Sequence, residues 1–157
     1  MGMQYDVKSI HASVSGLSVG YRTRLKGAVI FPLVTATRYS VFVDDISVTG
    51  TYSRTTTTAT ITAANHGLST GQWAYIDWNL TDDPYQVTVT DANTFTVTVA
   101  NSGGTSGAAV VWPRVLLQAD SQNATAYSIV IPGEGILAEN GIRTFVDANV
   151  HATVFYG

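Results

Sequence analysis

The 157-residue chain is 45% hydrophobic but only 12% charged, with a formal net charge of −3; the charged share is about half the ~25% of an ordinary globular domain. Thr, Ser, Gly and Asn supply the surface instead, and without a basic excess neither nucleic acid nor an anionic membrane is expected as a partner. The lack of cysteine excludes disulfides, thiolate metal sites, iron–sulfur clusters and cysteine nucleophiles.

The opening residues, Met1 to Asp6, have neither the basic nor the apolar region of a signal peptide, so the reading is a mature start. The longest apolar run, Ala28 to Val34, is broken by Pro32 and falls far short of the ~18 residues of a membrane helix. Apolar residues almost nowhere recur at helical spacing. Short runs of alternating Val, Ile, Tyr, Phe and Thr predict strands at Lys8–Val14, Arg22–Phe31, Tyr39–Asp44, Thr57–Thr62, Trp73–Trp78 and Tyr85–Thr90. Further runs follow at Thr94–Ala100, Ala108–Trp112, Val115–Ala119, Ala126–Ile131, Ile142–Val146 and His151–Tyr156. Gly16, Asn65-His66-Gly67, Ser102-Gly103-Gly104 and Pro132-Gly133-Glu134-Gly135 mark turns between them. The sharpest hairpin signal is Asp91-Ala92-Asn93, flanked by two alternations that put Val and Phe on one face and Thr on the other; these strands should pair antiparallel.

Composition changes along the chain. Between Thr51 and Trp112 lie all three tryptophans, while seven of the eight Lys and Arg residues lie in the flanks. The expected architecture is therefore all-β: a small antiparallel, jelly-roll-like β-sandwich built from residues 1–50 and 113–157, with a β-rich module inserted at 51–112.

Residues that could carry chemistry are few. His11, His66 and His151 form no His-x-His or His-x-x-x-His pair, which argues against a metal site. His66 reads as a turn residue beside Gly67, and His11 and His151 as residues of neighbouring strands. The doublets Asp44-Asp45 and Asp82-Asp83 suggest a carboxylate pair or a calcium site, but adjacent strand residues point to opposite faces and Asp82-Asp83-Pro84 has turn composition. No nucleophile elbow, zinc-protease motif, P-loop or dinucleotide fingerprint occurs, so no catalytic residue, cofactor or enzymatic activity is expected. Arg22, Arg24 and Lys26 alternate onto one strand face, where they either meet an acidic surface on a capsid or neighbouring subunit or belong to a solvent-exposed or edge strand protected by charge. Trp73 and Tyr75 share one strand face and Trp78 takes the other; they are candidate platforms for stacking sugars, against the alternative that at least two of the rings fill a thin module core.

The run Thr60 to Trp73, with His66-Gly67-Leu68 and Thr70-Gly71, followed by Tyr85-Gln86-Val87-Thr88 and Asp91-Ala92-Asn93-Thr94-Phe95-Thr96-Val97, resembles a small β-module recurrent in phage tail and fibre proteins. The flanks resemble short proteins of phage structural-gene regions. Val7 to Ala12, Gly20 to Gly27, Ile131-Pro132-Gly133-Glu134-Gly135-Ile136-Leu137 and Val150 to Tyr156 carry that likeness. It implies a virion-associated β-sandwich without enzymatic activity, most simply a capsid decoration or cement protein that stabilises the head. Its partners would be the major capsid protein or another virion protein, and copies of itself, with a trimer as the first expectation. Its place would be the phage particle surface after assembly in the host cytoplasm. The alternatives are a tail or neck accessory protein and a host-surface glycan-binding adhesin.

Overall fold

Period-two alternation becomes strand throughout the computed structural model, which describes residues 7–81, 83–121 and 123–157. The protein is all-β, with 61% strand and no helix among the described residues. Met1 to Asp6, read above as a mature start, and Asp82 of the second acidic doublet lie outside the described residues. The chain divides into two units, residues 7–45 with 116–157, and residues 46–115.

The first unit contains β1 (Lys8–Ala12), β2 (Gly16–Val19), β3 (Thr23–Pro32) and β4 (Arg38–Asp44) from the leading flank. The trailing flank adds β12 (Val115–Ser121), β13 (Tyr127–Val130), β14 (Ile136–Ala138), β15 (Ile142–Val146) and β16 (Val150–Tyr156). One sheet runs β1-β16-β3-β13 with β14 also on β3, and the other runs β12-β4-β15-β2. Their inward residues share one core, with Leu25, Ile30, Ala152 and Val154 from the first sheet meeting Val19, Phe42, Leu116 and Ile142 from the second. That is a sandwich: each sheet buries one face against the other.

The second unit contains β5 (Val48–Thr55), β6 (Thr58–Thr62), β7 (Trp73–Trp78), β8 (Asp83–Gln86), β9 (Thr88–Asp91), β10 (Thr94–Thr98) and β11 (Ser106–Trp112). They form one antiparallel sheet, β8-β7-β11-β5-β6-β10-β9, that curls into a nearly closed barrel. Ile61, Ile76, Val87, Phe95 and Val111 fill it, and none is appreciably exposed. The Asp91-Ala92-Asn93 hairpin forms as the alternation predicts, with β9 and β10 antiparallel and a register shift beside Thr94. The one Lys or Arg between Thr51 and Trp112, Arg54, spends its guanidinium on the 99–105 loop, donating to the carbonyls of Gly103 and Gly104 and to Asn101 Oδ1.

Two expected boundaries move. β5 runs unbroken through Gly50-Thr51, where the module junction was expected, so the second unit begins at Ile46. Gly50 is there because a Cβ would lie 2.2 Å from the carbonyl oxygen of Thr62 on the adjacent strand. The predicted strand over Tyr85–Thr90 is two, β8 and β9, because Val87 turns its amide to Gln72 O and its carbonyl to the amide of Gly71.

Candidate functional site

Arg24 and Lys26 alternate along β3 and Arg22 lies in the bend before it, in surroundings unlike those expected. β3 is paired on both sides, by β16 on one and by β13 and β14 on the other, so it is no edge strand and the edge-protection reading is corrected. The segment following β13 returns across it. Gly135 makes this approach possible, since it has φ +79° and a Cβ would sit 2.4 Å from Leu25 O. Lys26 Nζ, largely buried, donates to Glu134 O at 2.7 Å. Arg24 lies 3.3 Å from the Glu134 carboxylate, and Arg22 Nε donates to Glu139 Oε2 at 2.7 Å. Lys26 is thus withdrawn from any docking face, while Arg22 and Arg24 remain at the surface in exposed pairs worth roughly 0–1 kcal/mol each.

Those two arginines open onto a recess of about 310 Å³ in the first unit, shared with Lys8, Tyr21, Leu137 and Tyr156. Three elements build it. β1 places Lys8 opposite Tyr156 of β16, and the bend before β3 presents Tyr21 and Arg22. Arg24 and Gly157 exchange backbone hydrogen bonds of 3.1 and 3.2 Å, which fix the end of β16 against β3. The Tyr21 and Tyr156 rings meet edge to face with centroids 6.4 Å apart. A recess lined by three cations and two phenols suits an acidic side chain with an aromatic or apolar neighbour.

The hydrogen bond with Tyr21 holds the Tyr156 hydroxyl above the ordinary tyrosine value of 10.0, helped by burial and the neighbouring phenol and opposed by the Lys8 charge. The neutral phenol is thus the form the fold favours. This contribution is complete below pH 10 and is lost as pH rises through the higher folded value. In an ultraviolet titration of phenolate absorbance, the difference between the native chain and Tyr156→Phe should show a group ionising above 10.0, and Tyr21→Phe should bring it back towards 10.0. A Tyr156 titration unmoved by Tyr21→Phe would refute the contact.

The remaining candidates are placed as follows. His11 and His151 do become neighbours, through β1 and β16, with ring centroids 5.3 Å apart. No group of three metal-ligating side chains occurs among the described residues. His66 is buried in the second unit: Nε2 donates to Asp91 O at 3.1 Å, and Nδ1 accepts the Leu68 amide at 3.0 Å, so the ring ties the His66-Gly67-Leu68 turn to the far hairpin. Asp44 and Asp45 point apart as their spacing requires. Asp44 is buried and accepts two backbone amides, whereas Asp45 pairs with Arg143 at 2.6 Å.

The three aromatic rings separate. Trp78 faces inward with Ala74 and Ile76, packs on Tyr52 at 5.0 Å and donates its indole N–H to Thr81 O. Tyr75 faces the other way but is 3% exposed, edge-on to Trp112. A three-ring sugar platform is therefore corrected to one ring: Trp73 alone, 50% exposed, presents a face to solvent. No protein-family model matches the chain, and no curated protein matches it.

Proposed function

We propose that the chain is a non-enzymatic structural protein of a tailed-phage particle, a capsid decoration or cement protein whose sandwich unit docks through the Lys8–Tyr21–Arg22–Arg24–Tyr156 recess onto an acidic patch of the major capsid protein. The observation that carries the docking site is the convergence of three cations and two tyrosines on one recess in a chain that is net acidic and sparsely charged elsewhere. Charge at such a recess steers association and sets register, and the phenols add area that survives desolvation. Further copies of the chain are the second partner, in a threefold assembly. Val14, Leu17, Leu33 and Val130, all exposed on the sandwich unit, offer contact surface without an ionic desolvation cost.

The test is to add the purified protein to heads of its own phage assembled without it, and to image them. Regular occupancy of the capsid lattice is expected, with binding weakened about tenfold or more by Arg22→Glu with Arg24→Glu, and weakened by salt in the native chain. Binding only at the tail vertex, or to host cells and not to heads, would replace the decoration reading with the accessory or adhesin one. Lattice binding indifferent to the double reversal would remove the recess from it.

A further inference from the structure

The second unit carries a site of different chemistry, at the seam where its barrel fails to close. β8 ends the sheet on one side, and across the gap stand the start of β9 and the end of β10. The gap is a groove of about 510 Å³, inside the ~300–1,000 Å³ range of small-ligand sites. Trp73 of β7 forms one wall beside Tyr85 and Gln86 of β8, and Thr70, Thr88 and Thr98 line the rest. None of its lining residues is charged.

We infer that this groove binds a neutral oligosaccharide, with Trp73 as the stacking platform. The half-exposed indole offers an electron-rich face to the C–H face of a pyranose, the contact its quadrupole favours. Around it stand short hydroxyls and an amide, which can donate to and accept from sugar hydroxyls. Thr70 Oγ1 already accepts the Val89 amide at 2.9 Å, which leaves its own proton to donate. Gln86 Nε2 is held by Gly71 O at 3.1 Å, which orients its carbonyl oxygen as an acceptor. An anionic ligand would find no counter-charge here, and a purely apolar partner would bury the unused proton of the Thr70 hydroxyl without an acceptor. The inference rests on the second unit alone and is independent of the docking recess.

Tryptophan emission reads the site directly, because Trp78 and Trp112 are each 7% exposed and Trp73 is the solvent-facing indole. The full chain is titrated with maltohexaose, cellohexaose, mannohexaose and a galacto-oligosaccharide, with sialyllactose as the acidic comparison. A saturable blue shift with at least one neutral sugar is expected, at a Kd in the range of about 10 μM to 1 mM and absent with sialyllactose. Trp73→Ala should weaken binding about tenfold or more when binding is read by calorimetry, and Thr98→Val several-fold. Both positions are at the surface, so the fold should survive either change. Silence with every neutral sugar at about 10 mM would overturn the inference. So would binding that persists unchanged in Trp73→Ala, or an emission shift that follows protein concentration alone, which would assign the groove to a second copy of the chain.

Discussion

Phe95→Ala is expected to destabilise the second unit by about 3–5 kcal/mol, the range for emptying a fully buried phenylalanine site. Phe95 is 0% exposed near the start of β10, with Ile61 of β6 on one side and Val89 of β9 on the other. Its ring also walls in His66, at 5.1 Å edge to face. Truncation therefore removes transfer free energy, leaves a cavity, and opens to water the imidazole that joins the Leu68 amide to Asp91 O. Since domains are stable by only ~5–15 kcal/mol, this is a large part of what the unit has. The two hydrophobic clusters share no residue, so the loss should stay local. Native-state hydrogen exchange tests this: amides of Ile61, Ile76 and Val111 should lose protection by the full amount, while those of Ile30, Val41 and Phe42 should keep theirs. An equal loss in both sets, or a loss below about 1 kcal/mol in the first, would contradict this.

Where apolar residues alternated with Thr, as in β6 and β10, the strand and its inward face were legible from sequence, because the period of the side chains is the period of the pleat. Three strands were not. β2 begins at Gly16, which reads as turn punctuation; β14 is three residues behind Pro132-Gly133-Glu134-Gly135; and β5 places Gly50 at a half-buried position between Val48 and Tyr52. In each the local signal is diluted by glycine or brevity, and β2 and β14 form only on partner strands far off in the chain. β14, for instance, exists through its pairing with Leu25 and Arg24 of β3.

The candidate sites show the same division. The spacing of Arg22, Arg24 and Lys26 is local, but the groups that receive them, Glu134 and Glu139, lie more than a hundred residues away. Nothing local announces that pairing. Tyr21 and Tyr156, the aromatic half of the recess, were invisible for the same reason, since only the β16–β3 pairing brings them together. For the aromatics of β7, period two separates Trp73 and Tyr75 from Trp78 but does not say that Trp112 will cover Tyr75. That Trp73 alone of the three tryptophans is exposed is a tertiary outcome.

Asp44→Ala should cost about 3–5 kcal/mol, while Asp45→Ala, one residue on, should cost about 1 kcal/mol or less. The contrast follows from where the two carboxylates go. Asp44 is 1% exposed at the end of β4, and its oxygens accept the amides of Glu139 at 3.1 Å and Asn140 at 2.7 Å. Next to them Gly141 O accepts the Asp45 amide, and Gly141 itself has φ +107° with room for no Cβ, which would lie 2.1 Å from Val19 O. Position 141 thus admits only glycine, and the N–H groups of Glu139 and Asn140 both donate to a single buried anion. Removing that anion strands both donors, each at about 1–3 kcal/mol, and also loosens Glu139, which holds Arg22 beside the recess. Asp45 forms a partly exposed pair with Arg143, and both groups can turn to water when the pair is broken. Denaturant unfolding of the sandwich unit, followed through the protection of Ile142 and Phe42, separates the two cases. Equal costs for the two alanines, or full stability in Asp44→Ala, would show that the turn is held by something other than the Asp44 carboxylate.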